Sequence, residues 1–347
     1  MPSNSIRLHL QIDGQWRPFF DIPFIELVRF TLRPIKWLRY LGWCIYGQPG
    51  ELSATPGGVQ VTEDAELSVE YYYVSSLPPR FIDINAIDDR TSDSDHYTAT
   101  FRQDLIDRDG LCIVTQALAN DSAACHILPH SKGDEYISRI SGLRADQGDF
   151  PVVEIGDVHN GVLLFTGLHR PFGAGKIAFL MTPNLYLLPD DIPSNALPPP
   201  PPDVPRLTLQ HIIPQAGPIP LIAPHNKDAR LSPTDMGPSA YLLHFFYTCA
   251  VLQRWGQLSR PYLEAKDIQA AYYVRESPYV SDSDKEESRS GRSRRSLARR
   301  DLPTSAGSRS FSDIMDQLLL LHSRVVPSEE PLRKREASGK VLAWLNE

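Results

Sequence analysis

Ile6-Arg-Leu8-His-Leu10-Gln-Ile12 alternates apolar and polar residues, and Asp13-Gly14 follows it. A period of two is that of a strand with one buried face, and Asp-Gly is a preferred two-residue hairpin turn. From Ile25 to Ile45 the period lengthens. Glu26, Arg29, Arg33 and Lys36 recur at helical spacing, and Leu27, Val28, Leu32, Ile35 and Leu38 fill the other faces. Pro34 is placed to break or kink that helix, because it has no N–H and its ring crowds the preceding turn. The basic stripe suits phosphates or lipid head groups, but a plain solvated face is the preferred reading. Beyond the turn signals Gly47-Gln-Pro-Gly50 and Thr55-Pro-Gly-Gly58, the stretches Val59–Thr62 and Leu67–Val74 read as strands. Residues 1–80 are thus expected to form a mostly β unit without evident chemistry.

Residues 83–94 read as an acidic loop and 103–109 as a short helix. Cys112–Thr115 and Ala123–Leu128 then read as strands, and Asn160–Phe172 as a following helix, giving the order β, β, α over residues 83–187. Pro198–Pro202 is a stiff polyproline spacer within a proline-rich linker expected over 188–237. Leu242, Phe245, Phe246, Cys249 and Leu252 mark a strong helix over 239–256, with Cys249 an inert buried thiol, in a helical segment spanning 238–276. Residues 277–310 collapse to Ser, Arg, Asp, Glu and Gly, a composition that cannot repay ordering and predicts disorder. The arginines between 289 and 300 suit a nuclear address, a weak nucleic-acid arm or an ordinary basic linker. A closing helix is expected over 311–347, capped by Ser312, with Ile314, Leu318, Leu321 and Val325 on one stripe.

Composition narrows the classes. The chain has 347 residues, enough for roughly two domains. Four cysteines without a Cys-x-x-Cys pair do not make a secreted disulfide framework, and the first residues lack a signal-peptide pattern. An intracellular home follows as the expectation, nuclear if the arginine segment is an address and otherwise cytoplasmic. The charges within residues 19–47 exclude a membrane span there. A net charge of −7 argues against coating nucleic acid by bulk electrostatics but leaves room for a local basic groove. No Gly-x-Ser-x-Gly elbow and no P-loop appears, which disfavours a serine hydrolase and a P-loop ATPase.

One set of residues carries chemistry. His126 ends a strand-like run, Asn160 follows, and His169 comes nine residues later. Hydrolysing a phosphodiester needs a base to deprotonate water and a cation to take up charge on the phosphate. Histidine suits the first task, and a few nitrogen, oxygen or sulfur ligands suit the second. Read alone, His126 is more readily a core histidine, and Asn160-Gly161 is compatible with a plain turn. His130 and His159 read as solvent-facing residues or auxiliary ligands. Cys112 is a candidate partner of Cys125, His126 and His130 in a structural zinc site.

The ordered set Arg108-Asp-Gly-Leu-Cys112-Ile-Val-Thr115, Ala124-Cys125-His126-Ile-Leu-Pro129, Asn160-Gly-Val-Leu-Leu164, Leu168-His169-Arg-Pro-Phe172 and Ala178-Phe-Leu-Met-Thr-Pro183-Asn resembles the HNH, or ββα-metal, nuclease domain found in a large group of fungal proteins. The resemblance implies an α+β protein with a ββα-metal core, embedded between a mostly β amino-terminal unit and a helical carboxy-terminal region. It implies a metal-dependent endonuclease in which His126 is the general base and Asn160 holds the hairpin loop and orients it. His169 and Cys125 would be metal ligands, and Arg170 and Lys176 nucleic-acid contacts. The implied cofactor is a divalent ion (magnesium, manganese or zinc), and the implied partner is nucleic acid, DNA first, with no small-molecule cofactor and no membrane. Gly173, where related domains often carry Asp or His, has no side chain to offer. Two other functions stay open: a catalytically degenerate HNH module that binds nucleic acid or protein, and an interaction protein working through its proline-rich and Ser/Arg-rich segments.

Overall fold

The computed structural model describes residues 5–87, 99–146, 149–195, 201, 204–231 and 236–273. The first alternating run forms β1 (Ser5–Ile12), which turns through Asp13 (φ 49°) and Gly14 (φ 75°) into the antiparallel β2 (Gln15–Pro23). Both turn residues have positive φ, as a two-residue hairpin turn that follows strand twist requires. β1 also pairs in parallel with β4 (Glu70–Val74), whose other edge takes β3 (Glu51–Ser53), giving the order β2-β1-β4-β3. Val59–Thr62 forms no strand. Gln60 makes a single bridge to Ser53, and Val59 is 88 % exposed, so its β propensity meets no surface to pack against.

Pro34 divides the next periodic stretch into α1 (Phe24–Phe30) and α2 (Pro34–Tyr46), sitting at the start of α2 where its missing N–H costs nothing. The basic stripe on this stretch is neutralised by neighbours. Arg29 pairs with Glu26, Arg33 with Asp64 at 2.9 Å, and Lys36 with Asp191 at 3.1 Å. α2 is buried on nearly all sides and packs on α7 (Ala240–Trp255), where Trp37 Nε1 donates to Tyr247 Oη at 3.0 Å and Tyr40 Oη bonds His244 Nδ1 at 3.0 Å. Ser239 caps α7, its side chain accepting from Leu242 N–H.

α7 also lies along β7 (Ile177–Thr182), the first strand of a sheet ordered β7-β8-β9. β8 (Arg206–His211) and β9 (Lys227–Ala229) fall inside the stretch expected to be a proline-rich linker. All six β8 residues are buried, including four polar ones that sequence pattern places outside a core. Their polar groups are answered. Arg206 pairs with Asp228 at 2.8 Å, Gln210 donates to the Phe30 carbonyl at 2.8 Å and to Asn226 at 2.7 Å, and His211 bonds the Ala223 carbonyl. Short helices α6 (Ile219–Ile222), α8 (Arg260–Leu263) and α9 (Lys266–Gln269) complete this part.

Between these two sheets along the chain come the elements that hold the candidate site: α3 (Ala99–Asp109), β5 (Ser122–His126), α4 (Gly133–Arg144), β6 (Gly161–Phe165) and α5 (Thr166–Gly173). The order β, β, α holds, with different members from those expected. Cys112–Thr115 is a turn whose Sγ accepts the amides of Val114 (3.4 Å) and Thr115 (3.3 Å). The second strand is Gly161–Phe165, the front of the expected helix, paired antiparallel with β5 from His126↔Gly161 to Ser122↔Phe165. Its residues are buried without exception. A short continuous apolar run is compatible with either a buried strand or a helix, and the pairing partner decides between them.

The open edge of β6 is closed by side chains. Asp109 Oδ2 accepts from Leu163 N–H at 3.1 Å, and Arg108 Nη2 donates to the Gly161 carbonyl at 2.9 Å. Arg108 and Asp109 also pair with each other at 2.7 Å, both almost fully buried. Among the described residues no helix is long and apolar enough to cross a membrane. The expected Ser/Arg-rich segment and closing helix lie outside the described residues.

Candidate active site

His126 is the last residue of β5, and strand alternation puts its side chain on the same face as Ala124. That face meets α3. Ala124 packs with Phe101 and Leu105, and the His126 ring stacks on the Phe101 ring with centroids 3.9 Å apart and planes 4° apart. Pro129 then turns the chain so that His130 stands beside His126, ring centroids 5.6 Å apart. α5 packs across β5 and brings His169 to the same place. Burial pushes the His126 pKa down to about 3, and the positive ends of His130 and then His169 push in the same direction. His126 is therefore neutral at neutral pH, with a lone pair in the ring plane.

Asn160 sits behind this cluster with no exposure. Its Oδ1 accepts from Leu128 N–H at 2.8 Å, while Nδ2 donates to the carbonyls of Leu128 at 3.0 Å and Ile155 at 2.9 Å. Its own carbonyl accepts from Ile127 N–H at 2.8 Å. The chain immediately after His126 is thereby stitched to the chain immediately before β6. Asn160-Gly161 is not a hairpin turn; Gly161 has φ −143° and starts a strand.

The other candidate residues fall apart from this group. Cys125 is on the opposite face of β5, with Sγ directed at the Ala123 carbonyl (3.5 Å) and next to Cys112. Burial pushes its thiol far up, the protonated state least suited to metal. Cys112 is buried with its Sγ used by the turn it opens, so the two cysteines share an interior and do not meet the His126 ring. His159 is not solvent-facing: it is 7 % exposed, its Nδ1–H donates to Asp157 Oδ1 at 2.7 Å, and its ring stacks on Phe150 at 4.7 Å. Arg170 and Lys176 are both exposed, on α5 and just after it.

Phe101 is a site-shaping residue outside the set that resembles the HNH domain, and the Arg108–Asp109 pair lies within that set without an assigned role. The available signal was Phe101 and Leu105 at i and i+4 on an otherwise polar segment, one stripe with one partner to bury it.

As a place for a divalent ion, the cluster offers imidazole nitrogens, which suit zinc or nickel better than the oxygen-seeking magnesium and manganese. Among the described residues no three His, Cys, Asp or Glu side chains are gathered closely enough to hold a metal as they stand. Cys125 does not fit the role of ligand beside His126, because alternation along β5 turns it away. His130 and His169 are the imidazoles that stand near His126.

Comparison with curated proteins and with solved structures gave no match. Residues 112–180 match the HNH_2 family, described as HNH endonuclease, and that range runs from Cys112 through His126, Asn160 and His169 into β7. The chain thus contains an HNH domain at residues 112–180, a stretch within which β5, β6 and α5 all fall.

Proposed function

We propose that the HNH module is a metal-dependent endonuclease in which His126 is the general base and His169, joined by His130, holds the metal. The observation that carries this is the convergence of three imidazoles at one end of a hairpin that Asn160 ties shut. His126 accepts the proton of a water molecule as its oxygen bonds to phosphorus, the bond from phosphorus to the leaving deoxyribose oxygen breaks, that oxygen takes up a proton from solvent, and His126 returns its own proton to solvent. A bound divalent ion would supply charge neutralisation on the phosphate and the leaving oxygen. Arg170 and Lys176, exposed on the α5 side, are the cations available to flanking phosphates. DNA is the substrate proposed first.

A degenerate module that binds without cutting is the second reading. It is favoured by the inward-facing Cys125 and by Gly173, which leaves α5 without a second ligand one turn after His169. Nicking of supercoiled plasmid in magnesium, manganese, nickel or zinc, with wild type beside His126→Ala, separates the two. Cleavage that requires metal and falls by a factor on the order of 100 or more in the variant supports the enzyme. A folded wild type that nicks with none of the metals overturns it.

A further inference from the structure

We propose that Phe101, contributed by α3 from outside the segment that matches the HNH family, is a positioning residue for the His126 imidazole, and that Gly161 is glycine because it must admit the Phe101 ring. The inference rests on the reading of His126 as the base.

An imidazole gives and takes protons in its own plane, so whatever fixes the plane fixes the direction of proton transfer. The Phe101 ring lies face to face with His126, 3.9 Å away and within 4° of parallel, which sets that plane and covers one of its faces. Phe101 cannot drift. It is 1 % exposed and enclosed by Leu105, Ala124 and Val158. α3 is itself anchored to the β5 side of the site. Arg102 donates to the carbonyls of Ser122 (3.1 Å) and Ala119 (2.8 Å), and Arg108 donates to those of Val158 (2.8 Å) and Gly161 (2.9 Å).

Gly161 faces His126 across the hairpin. Its φ of −143° is extended backbone that any residue adopts, so conformation does not demand glycine there. Space does. A Cβ on Gly161 would stand 2.6 Å from Phe101 Cζ and 2.9 Å from Leu105 Cδ1, closer than carbon atoms approach. A methyl group at 161 would push the ring from beneath His126. The HNH core and the preceding helix are thus coupled through one missing side chain.

The test uses the full-length protein with labelled histidine, the His126 ring signals being assigned by their disappearance in His126→Ala. In Phe101→Leu the His126 ring protons should move downfield as the stacked ring current is lost. Plasmid nicking should lose on the order of 100-fold in kcat with KM retained, as expected for a misaimed group that does not bind substrate. Gly161→Ala should move the same signals in the same direction, and should add little in the Phe101→Leu background, where the methyl has room. Unchanged His126 signals in Phe101→Leu, or fully additive effects of the two substitutions, would overturn the proposal. Should Phe101→Leu fail to fold, the Gly161→Ala signals decide alone. A wild type that nicks nothing removes the nuclease reading, while the ring signals and the double-mutant cycle still judge the positioning.

Discussion

Asn160→Asp keeps the shape of the side chain and exchanges its amide NH2 for a carboxylate oxygen. In the native protein Nδ2 donates to two buried carbonyls, Leu128 at 3.0 Å and Ile155 at 2.9 Å. The substitution retains the bond accepted from Leu128 N–H and turns both donations into oxygen facing oxygen, at a position with no exposure. An orphaned buried acceptor costs about 1–3 kcal/mol, so two of them come to roughly 2–6 kcal/mol before any cost of burying charge. That is a large part of the about 5–15 kcal/mol that holds a typical domain folded. Asn160→Ala should lose a comparable amount, since it gives up all three bonds without adding repulsion. Urea denaturation reads this as a lowered midpoint at constant slope. Amide exchange at Ile127 and Leu128, whose N–H groups bond to Asn160, locates it. A loss below about 1 kcal/mol in Asn160→Asp, with both amides still protected, would refute the view that Asn160 closes the hairpin.

Three further outcomes are expected. His244 is buried and held neutral, its pKa pushed down by burial to about 4 from the ordinary 6.5, so between those values the unfolded chain binds the proton and the native protein does not. Its contribution is therefore complete above about pH 6.5 and lost as the pH falls to about 4, up to roughly 3 kcal/mol. Chemical denaturation across that window should show a shallower slope in His244→Asn, and identical slopes would contradict the assignment. Asp109→Ala leaves the Arg108 guanidinium buried without its carboxylate and should destabilise by about 3–5 kcal/mol in a thermal or urea melt; a neutral result would mean that the pair does not close the β6 edge. Cys125→Ala should nick plasmid like the wild type while His169→Ala does not. Cleavage lost in a stable Cys125→Ala protein would move the thiol into the site.

The local pattern of the chain determined what depends on neighbours in sequence. The period-two run over β1, the Asp13-Gly14 turn, the break at Pro34 and the Ser239-capped α7 each follow from residues within one or two turns of each other. His126, Asn160 and His169 stood out because their order and spacing resemble a known domain, and the family match covers them. Tertiary structure decided the rest, and the reason is the same in each case. Gly161–Phe165 is a strand because β5 lies beside it; an apolar run alone does not state its partner. The polar residues of β8 are core because Asp228, Asn226 and backbone carbonyls answer them, and those groups come from other parts of the chain. Cys125 and His126 are adjacent in sequence yet face opposite ways, a consequence of strand pleat that appears only once residue 125 is known to be in a strand. Phe101 reaches His126 from a helix 25 positions earlier because Gly161 leaves room for it, and neither residue records that contact in its own neighbourhood of sequence.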